Sequence, residues 1–378
     1  MSLSEVQYQG HAQDMLQRAF SRDRVPHAYL FHGPEGVGKE SLARRFARLL
    51  LCDNPIDRPL DGDLAKHVGV SNIRTGCANC ESCRLVVAET HPDIHFVYRQ
   101  LNRQHPEAKV RARTGREIGV DVIRHFLVEK VRLTPVRGRA KVFLVREADR
   151  MTPEAQNALL KSLEEPPGPT YIVLLTASAD RLLPTTLSRC QLVEFSALPL
   201  SFVREKLALL HPELSEEQLN WYARSTEGSL GRAEDAIRLD LYAIGEQVLR
   251  SIESLDQADT TKIFDPWKTL AETIGPKSAK GDPDVTPLES RRIGFKIIFT
   301  IVANWYADAL RVRNGRRKDL VNASHSSAIA TVARDLDHDA IIDRINRLAQ
   351  AQWHLDRNVH PQVCVETLVG DLACGVGV

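Results

Sequence analysis

The stretch AYLFHGPEGVGKESLARRFARLLLC, Ala28 to Cys52, decides the fold of this 378-residue chain. Ala28 to Phe31 is a short apolar run, Gly33 to Gly38 is a glycine-rich turn, and the residues after it repeat apolar positions at helical spacing, ending near Cys52. Strand, loop and helix in that order are the setting of a phosphate-binding loop, written G-x-x-x-x-G-K followed by Ser or Thr. The glycines of such a loop let backbone N–H groups approach the phosphates, the Lys reaches the outer phosphates, and the hydroxyl holds magnesium. Gly33, Gly36, Gly38 and Lys39 keep the first two functions, but Glu40 stands where the hydroxyl belongs and brings a negative charge beside a polyanion. Ser41 does not replace it, because one step along a helix turns the side chain by about 100°.

The alternation continues outward. KVFLV (Lys141 to Val145) and YIVLL (Tyr171 to Leu175) are continuous apolar runs, the pattern of strands buried in a parallel sheet, and the helical pattern TPEAQNALLKSLEE separates them. HFVY before them and LVEF (Leu192 to Phe195) after them read as further strands. The expected fold is α/β followed by all-α: a parallel sheet with helices on both faces over residues 1–196, a small helical domain over 197–243 around GSLGRAEDA, and longer helices over 244–378, interrupted by the loop GPKSAKGDPD. Several domains suit a chain longer than a single core usually reaches. With 43% apolar and 26% charged residues the composition is that of a soluble globular protein. No stretch reaches the roughly 18 consecutive apolar residues of a membrane span, and MSLSEVQYQGHAQDMLQRAF lacks the basic start and apolar run of a signal peptide. A cytoplasmic protein with no membrane partner is expected.

A second strand should end in an acidic residue that helps hold the same magnesium. KVFLVREAD has Arg146 there, followed by Glu147. A guanidinium offers no lone pair to a cation, so both protein contributions to the metal are altered. Hydrolysis is expected to be absent, and weak binding of ATP or ADP through Lys39 and the loop amides stays open.

Four of the seven cysteines are Cys52, Cys77, Cys80 and Cys83, the last three packed in CANCESC. In a reducing compartment disulfides do not persist, and four thiolates at this spacing fold round one metal ion as a tetrahedron. The expectation is a structural zinc in a module at about residues 52–90, with no coordination position left open for chemistry. Cys190, Cys364 and Cys374 sit in apolar contexts and read as packing residues. From Arg103 to Arg146 there are twelve Lys or Arg against four Asp or Glu, although the net charge is only +1. The aromatics there, Phe126 and Phe143, lie in core-like contexts, so a solvated basic surface is favoured over a DNA contact.

Together VPHAYLFHGPEGVGKE, CANCESC, THPD, NALLKSLEEPP, LPTTLSRC and GSLGRA resemble the delta-prime subunits of bacterial DNA polymerase III clamp loaders, a family of AAA+ proteins. NVHPQVCVETLVGDL is similar to the last collar helix of that family. The resemblance implies a nucleotide-binding domain, a small helical lid, and a helical collar that assembles five subunits into a ring. It implies that gamma or tau subunits hydrolyse ATP and that delta-prime does not. It also implies partners: gamma/tau and delta subunits, primed DNA within the complex, and the sliding clamp indirectly. In SRC, Ser188 to Cys190, it makes Arg189 an arginine finger acting in trans on a neighbour's ATP. Thr176 and Arg232 fall at or near sensor positions, Arg232 one residue later than in a motor subunit. Two rival functions stand beside this one, an active clamp-loader ATPase of the gamma/tau type and a zinc-dependent DNA-binding module on an ATPase scaffold. ATP turnover by the chain separates the first rival, and salt-dependent binding to primed DNA the second.

Overall fold

A computed structural model describes residues 6–22, 24–59, 72–137, 139–253, 261–279 and 282–373. It divides into two compact units, Met1–Pro199 and Leu200–Val378.

The first unit is built on a five-stranded sheet of β1 (Ala28–His32), β4 (Ile94–Val97), β5 (Lys141–Val145), β6 (Thr170–Thr176) and β7 (Gln191–Glu194), in the order β4-β5-β6-β1-β7. Every pairing is parallel, with Leu30 opposite both Leu174 and Leu192. All five residues of β5 are buried, which explains the unbroken apolar run from Val142 to Val145. On one face Tyr29 meets Phe46 of α2 (Lys39–Leu51) edge to face, with ring centroids 5.3 Å apart. On the other face Leu30, Phe143 and Ile172 join Leu159 of α4 (Pro153–Glu164) and Leu127 in one core. Helix α1 (Gly10–Ser21) precedes this layer. Thr152 caps α4 by accepting from the Ala155 amide at 3.2 Å, with Pro153 at the first turn.

The cysteine-bearing excursion has more order than its turn-rich composition suggests. β2 (Ile56–Pro59) pairs antiparallel with β3 (Asn72–Thr75), and α3 (Glu81–Val87) follows. Residues 60–71, part of the long segment between Cys52 and Cys77, lie outside the described residues.

Much of the basic stretch is used internally. Lys141 is buried, and its Nζ donates to the carbonyls of Lys130 (2.7 Å), Val131 (2.5 Å) and Leu133, the end of a helical run. The Lys130 carbonyl also accepts from the Leu133 amide at 3.2 Å, and the buried ammonium gives these carbonyls at a helix C-terminus a donor where the negative end of the helix favours a cation. Arg113 pairs with Asp121 at 2.7 Å and Arg137 with Glu81 at 2.7 Å. Phe126 and Phe143 are buried.

The second unit is helical among its described residues: α5 (Leu200–Leu210), α6 (Glu216–Ser225), α7 (Leu230–Arg238), α8 (Leu241–Glu253), α9 (Thr261–Ser278), α10 (Pro287–Arg313), α11 (Ser326–Asp335), α12 (His338–Asp356) and α13 (Pro361–Ala373). Trp267, Phe295, Phe299 and Trp305 centre its core. Helix α10 is long and apolar enough to cross a membrane by length and composition alone; 56% of its most apolar stretch is buried within the protein, with Ile298, Phe299 and Val302 in the core. Helix α9 continues to Ser278, four residues into the expected loop GPKSAKGDPD. The glycine at its end serves packing: a Cβ on Gly275 would sit 1.9 Å from the Ser290 carbonyl oxygen, and one on Gly294 would sit 2.3 Å from that of Ala271. The two glycines let the backbones of α9 and α10 touch.

The carboxylate of Asp308 is fully buried in this unit. It accepts from the backbone N–H groups of Val321 (3.0 Å) and Asn322 (2.8 Å), from Asn322 Nδ2 (2.9 Å) and from Arg311 Nη1 (2.6 Å). Asn322 Oδ1 in turn accepts from Trp221 Nε1 of α6 at 3.0 Å. A chain of polar contacts thereby ties a short helix of the 197–243 segment to the longer helices behind it.

Candidate functional sites

The loop after β1 has the backbone its glycines suggest. Gly33, Gly36 and Gly38 have φ of 140°, 69° and 104°, a region that side chains disfavour. A Cβ on Gly33 would also lie 2.1 Å from the Phe195 carbonyl oxygen. Lys39 opens α2 and folds back, its Nζ donating to the carbonyls of Gly33 (2.6 Å) and Pro34 (2.5 Å). Burial draws its pKa down from the ordinary lysine value, against the opposing charges of Glu35 and Asp149.

The two residues that depart from an ATPase meet each other. Arg146, one residue beyond β5, donates from Nη2 to Glu40 Oε1 at 2.5 Å, and Arg44 Nε donates to the same oxygen at 2.9 Å. Arg44 Nη1 also reaches Glu89 Oε1 at 2.5 Å. Phe96 lies in contact with both cations, at 4.6 Å from the Arg44 guanidinium carbon and 4.8 Å from that of Arg146. A magnesium ion does not fit this donor set: the one carboxylate is held by two guanidiniums, and one of those stands where the second metal contact belongs. Glu147, the next residue, is ion-paired with Arg99 and Arg150, each at 3.3 Å.

Thr176 at the end of β6 donates to Asp149 Oδ1 at 2.8 Å and accepts from the Ser178 amide at 3.0 Å, a strand-end cap. The backbone amide of Arg232 donates to Ser229 Oγ, the cap of α7, at 3.1 Å. Arg189 is half-buried and is held by Glu164 at the end of α4 and by the Thr185 carbonyl.

Cys52, Cys77, Cys80 and Cys83 converge so that their sulfur atoms all lie within 4.8 Å of one another. The Sγ atoms of Cys52 and Cys80 are 3.9 Å apart. Zinc–sulfur bonds of about 2.3 Å place tetrahedral sulfurs about 3.8 Å apart, so the cluster fits such an ion. The chain supplies further support: Cys77 N–H points to Cys52 Sγ (3.2 Å), Cys80 N–H to Cys77 Sγ (3.3 Å) and Cys83 N–H to Cys80 Sγ (3.4 Å). The amide of Cys80 pulls the Cys77 thiol down to about 6, while burial pushes Cys52 up to about 12. Cys190 and Cys364 pack in apolar surroundings, where burial raises their thiols to about 12 and about 11, and Cys374 lies outside the described residues.

Sequence reasoning passed over Arg44, Glu89, Arg99 and Glu164. The Glu40 to Arg44 spacing of four within one helix was a usable signal. The other three find their partners across elements, with no local cue.

A family model described as DNA polymerase III, delta subunit, matches residues 8–199. The DNA polymerase III subunit delta' of Bacillus subtilis is 26% identical over 359 residues, 94% of this chain and 93% of its own length. That of Pseudomonas aeruginosa is 34% identical over 254 residues, 66% of this chain and 68% of its own length. The tau subunit of Escherichia coli is 32% identical over 247 residues, 64% of this chain but 33% of its own length. With more than half its length inside that family match, and with delta-prime relatives aligned along most of both chains, this chain belongs to the DNA polymerase III delta-subunit family, in its delta-prime branch.

Proposed function

We propose that this chain is the non-hydrolysing partner in its complex, supplying structure and one arginine to subunits that turn over ATP. As a family member it is a clamp-loader subunit of DNA replication. The observation that carries the non-hydrolysing reading is the Glu40–Arg146 ion pair, which joins the two positions where an ATPase presents its magnesium contacts. Without the metal, charge on the transferring phosphoryl group loses its main neutralising partner. The partners are gamma/tau and delta subunits in a ring, with primed DNA inside the complex and the clamp as cargo. The helical unit splits in this reading into a lid over 197–243 and a collar over 244–378, and the protein is cytoplasmic. Cys52, Cys77, Cys80 and Cys83 hold zinc, which stabilises the module and leaves no open position for chemistry. Arg189 is the finger toward a neighbour's ATP.

The retained Lys39 and glycine turn, together with the tau relative, favour a second reading as an active ATPase. Reconstitution decides between them. A complex assembled with gamma/tau and delta should load clamps only when this chain is present, while the chain alone shows no ATP turnover above background. Robust turnover by the chain alone, abolished by Lys39→Ala, establishes the motor reading instead.

A further inference from the structure

We infer that the phosphate loop of this chain binds nucleoside polyphosphates without magnesium, with the Arg146 guanidinium standing in for the metal, so that magnesium weakens the binding it strengthens in an ATPase. The inference deepens the non-hydrolysing reading and rests on it.

The loop retains what contacts phosphate and has exchanged what contacts metal. Three glycines with positive φ line the approach, Gly38 leads directly into the first turn of α2, and Lys39 is parked on two loop carbonyls from which an incoming phosphate can recruit it. Glu40 and Arg146, by contrast, have exchanged a neutral ligand and an anion for an anion and a cation, bonded at 2.5 Å.

Charge counting gives the sign of the effect. An ordinary site presents a neutral hydroxyl, one carboxylate and a doubly charged ion, a net of about +1 beside the phosphates. Here Glu40 and Arg146 sum to zero, and Arg44 is balanced by Glu89 at the far end of the same chain of contacts. Arg146 keeps the positive pole, because its guanidinium has more than one N–H and only one arm is bonded to Glu40. A magnesium-complexed nucleotide would bring a divalent cation against that guanidinium, at a cost that falls steeply with distance. Free nucleotide meets no such obstacle. Since excess magnesium converts free ATP into the complex, it lowers the concentration of the species the loop accepts.

The site also has a built-in limit on strength. Glu40 stays beside the polyanion whether or not Arg146 turns toward phosphate, although Arg44, shared with Glu89, still bonds it at 2.9 Å. Binding in the high micromolar range, well short of a motor subunit, is the expected consequence, and ADP should lose little relative to ATP because no metal bridges the outer phosphates.

The test is isothermal titration of the purified full chain with ATP and with ADP, once in EDTA and once in magnesium in excess over nucleotide. Saturable binding in EDTA that weakens at least threefold in magnesium is expected. Binding that requires or is tightened by magnesium overturns the inference, as does the absence of saturable binding of either nucleotide in both buffers. Arg146→Ala, with its fold checked by thermal melting, should weaken binding in EDTA tenfold or more; unchanged binding removes Arg146 from the role. The double variant Glu40→Thr with Arg146→Asp should reverse the sign of the magnesium effect. These outcomes are independent of ATP turnover in the assembled complex, so failure here leaves the proposed function standing and failure there leaves this result readable.

Discussion

One carboxylate oxygen of Glu164, Oε1, accepts from both Nε and Nη2 of Arg189, while Nη1 donates to the Thr185 carbonyl at 2.9 Å. The guanidinium is thereby fixed in orientation, and its side chain keeps 31% of its exposure. Arginine fingers contribute about 10³ to 10⁵ in rate at the site they face, and that is the role proposed for Arg189. Arg189→Ala should leave fold, zinc and ring assembly unchanged and lower steady-state ATP hydrolysis and clamp loading by the complex only partly, since other interfaces keep their own arginines. Arg189→Lys should not restore the rate, because an ammonium lacks the planar multi-donor fork. Wild-type turnover in the Arg189→Ala complex would reduce Arg189 to an ion-paired surface residue.

Lys39 offers a contrasting case. If the chain does not hydrolyse ATP, Lys39→Ala has nothing catalytic to remove, and turnover by the reconstituted complex should stay within about twofold of wild type, a change worth less than 0.5 kcal/mol. A tenfold fall would show that this loop participates in the chemistry.

The thiol cluster predicts about one zinc per chain in protein purified without chelator. Cys80→Ser should lose the metal by elemental analysis while far-UV circular dichroism keeps most of its signal, since the sheet and the helical unit have cores of their own. Lowering the pH should release the metal as the thiolates gain protons. Metal-free wild-type protein would refute the assignment.

Cysteine spacing and buried strands were readable because both are short-range patterns: x2 intervals bring three sulfurs together where the chain bends into α3, and a strand covered on both faces is apolar over most of its length, as in Val142 to Val145. Gly275 and Pro276 misled for the converse reason. They read as a helix stop, yet α9 passes through both because Gly275 is needed against Ser290, a contact between two helices that no local window contains. Glu40 and Arg146 were each visible as a departure, and each reads alone as a loss. That they compensate one another across 106 residues belongs to the sheet topology, which sets the end of β5 beside the start of α2.

Asp308 gives the clearest stability prediction. Asp308→Ala strands two backbone N–H groups and the Asn322 amide in a dry interior and unpairs the partly exposed Arg311, and removal of one partner from such a site costs about 3–5 kcal/mol. All four tryptophans, Trp221, Trp267, Trp305 and Trp353, lie in the helical unit, so denaturation followed by tryptophan fluorescence isolates the effect. Asp308→Asn should cost less, because an amide oxygen still accepts from part of the set. A loss below about 1 kcal/mol for the alanine variant would mean that water enters and replaces the carboxylate.

The Glu40–Arg146 ion pair also constrains what single substitutions can do at this site. Arg146→Asp alone would set one carboxylate against another with no ion between them, and Glu40→Thr alone would strip a half-buried guanidinium of its partner. Either single step away from the present pair passes through a less favourable neighbour, so a lineage that has made both changes does not drift back by one. On the proposed non-hydrolysing reading, such a subunit is held there by a two-residue ratchet, and its sequence is then free to specialise for whatever its neighbours require of it.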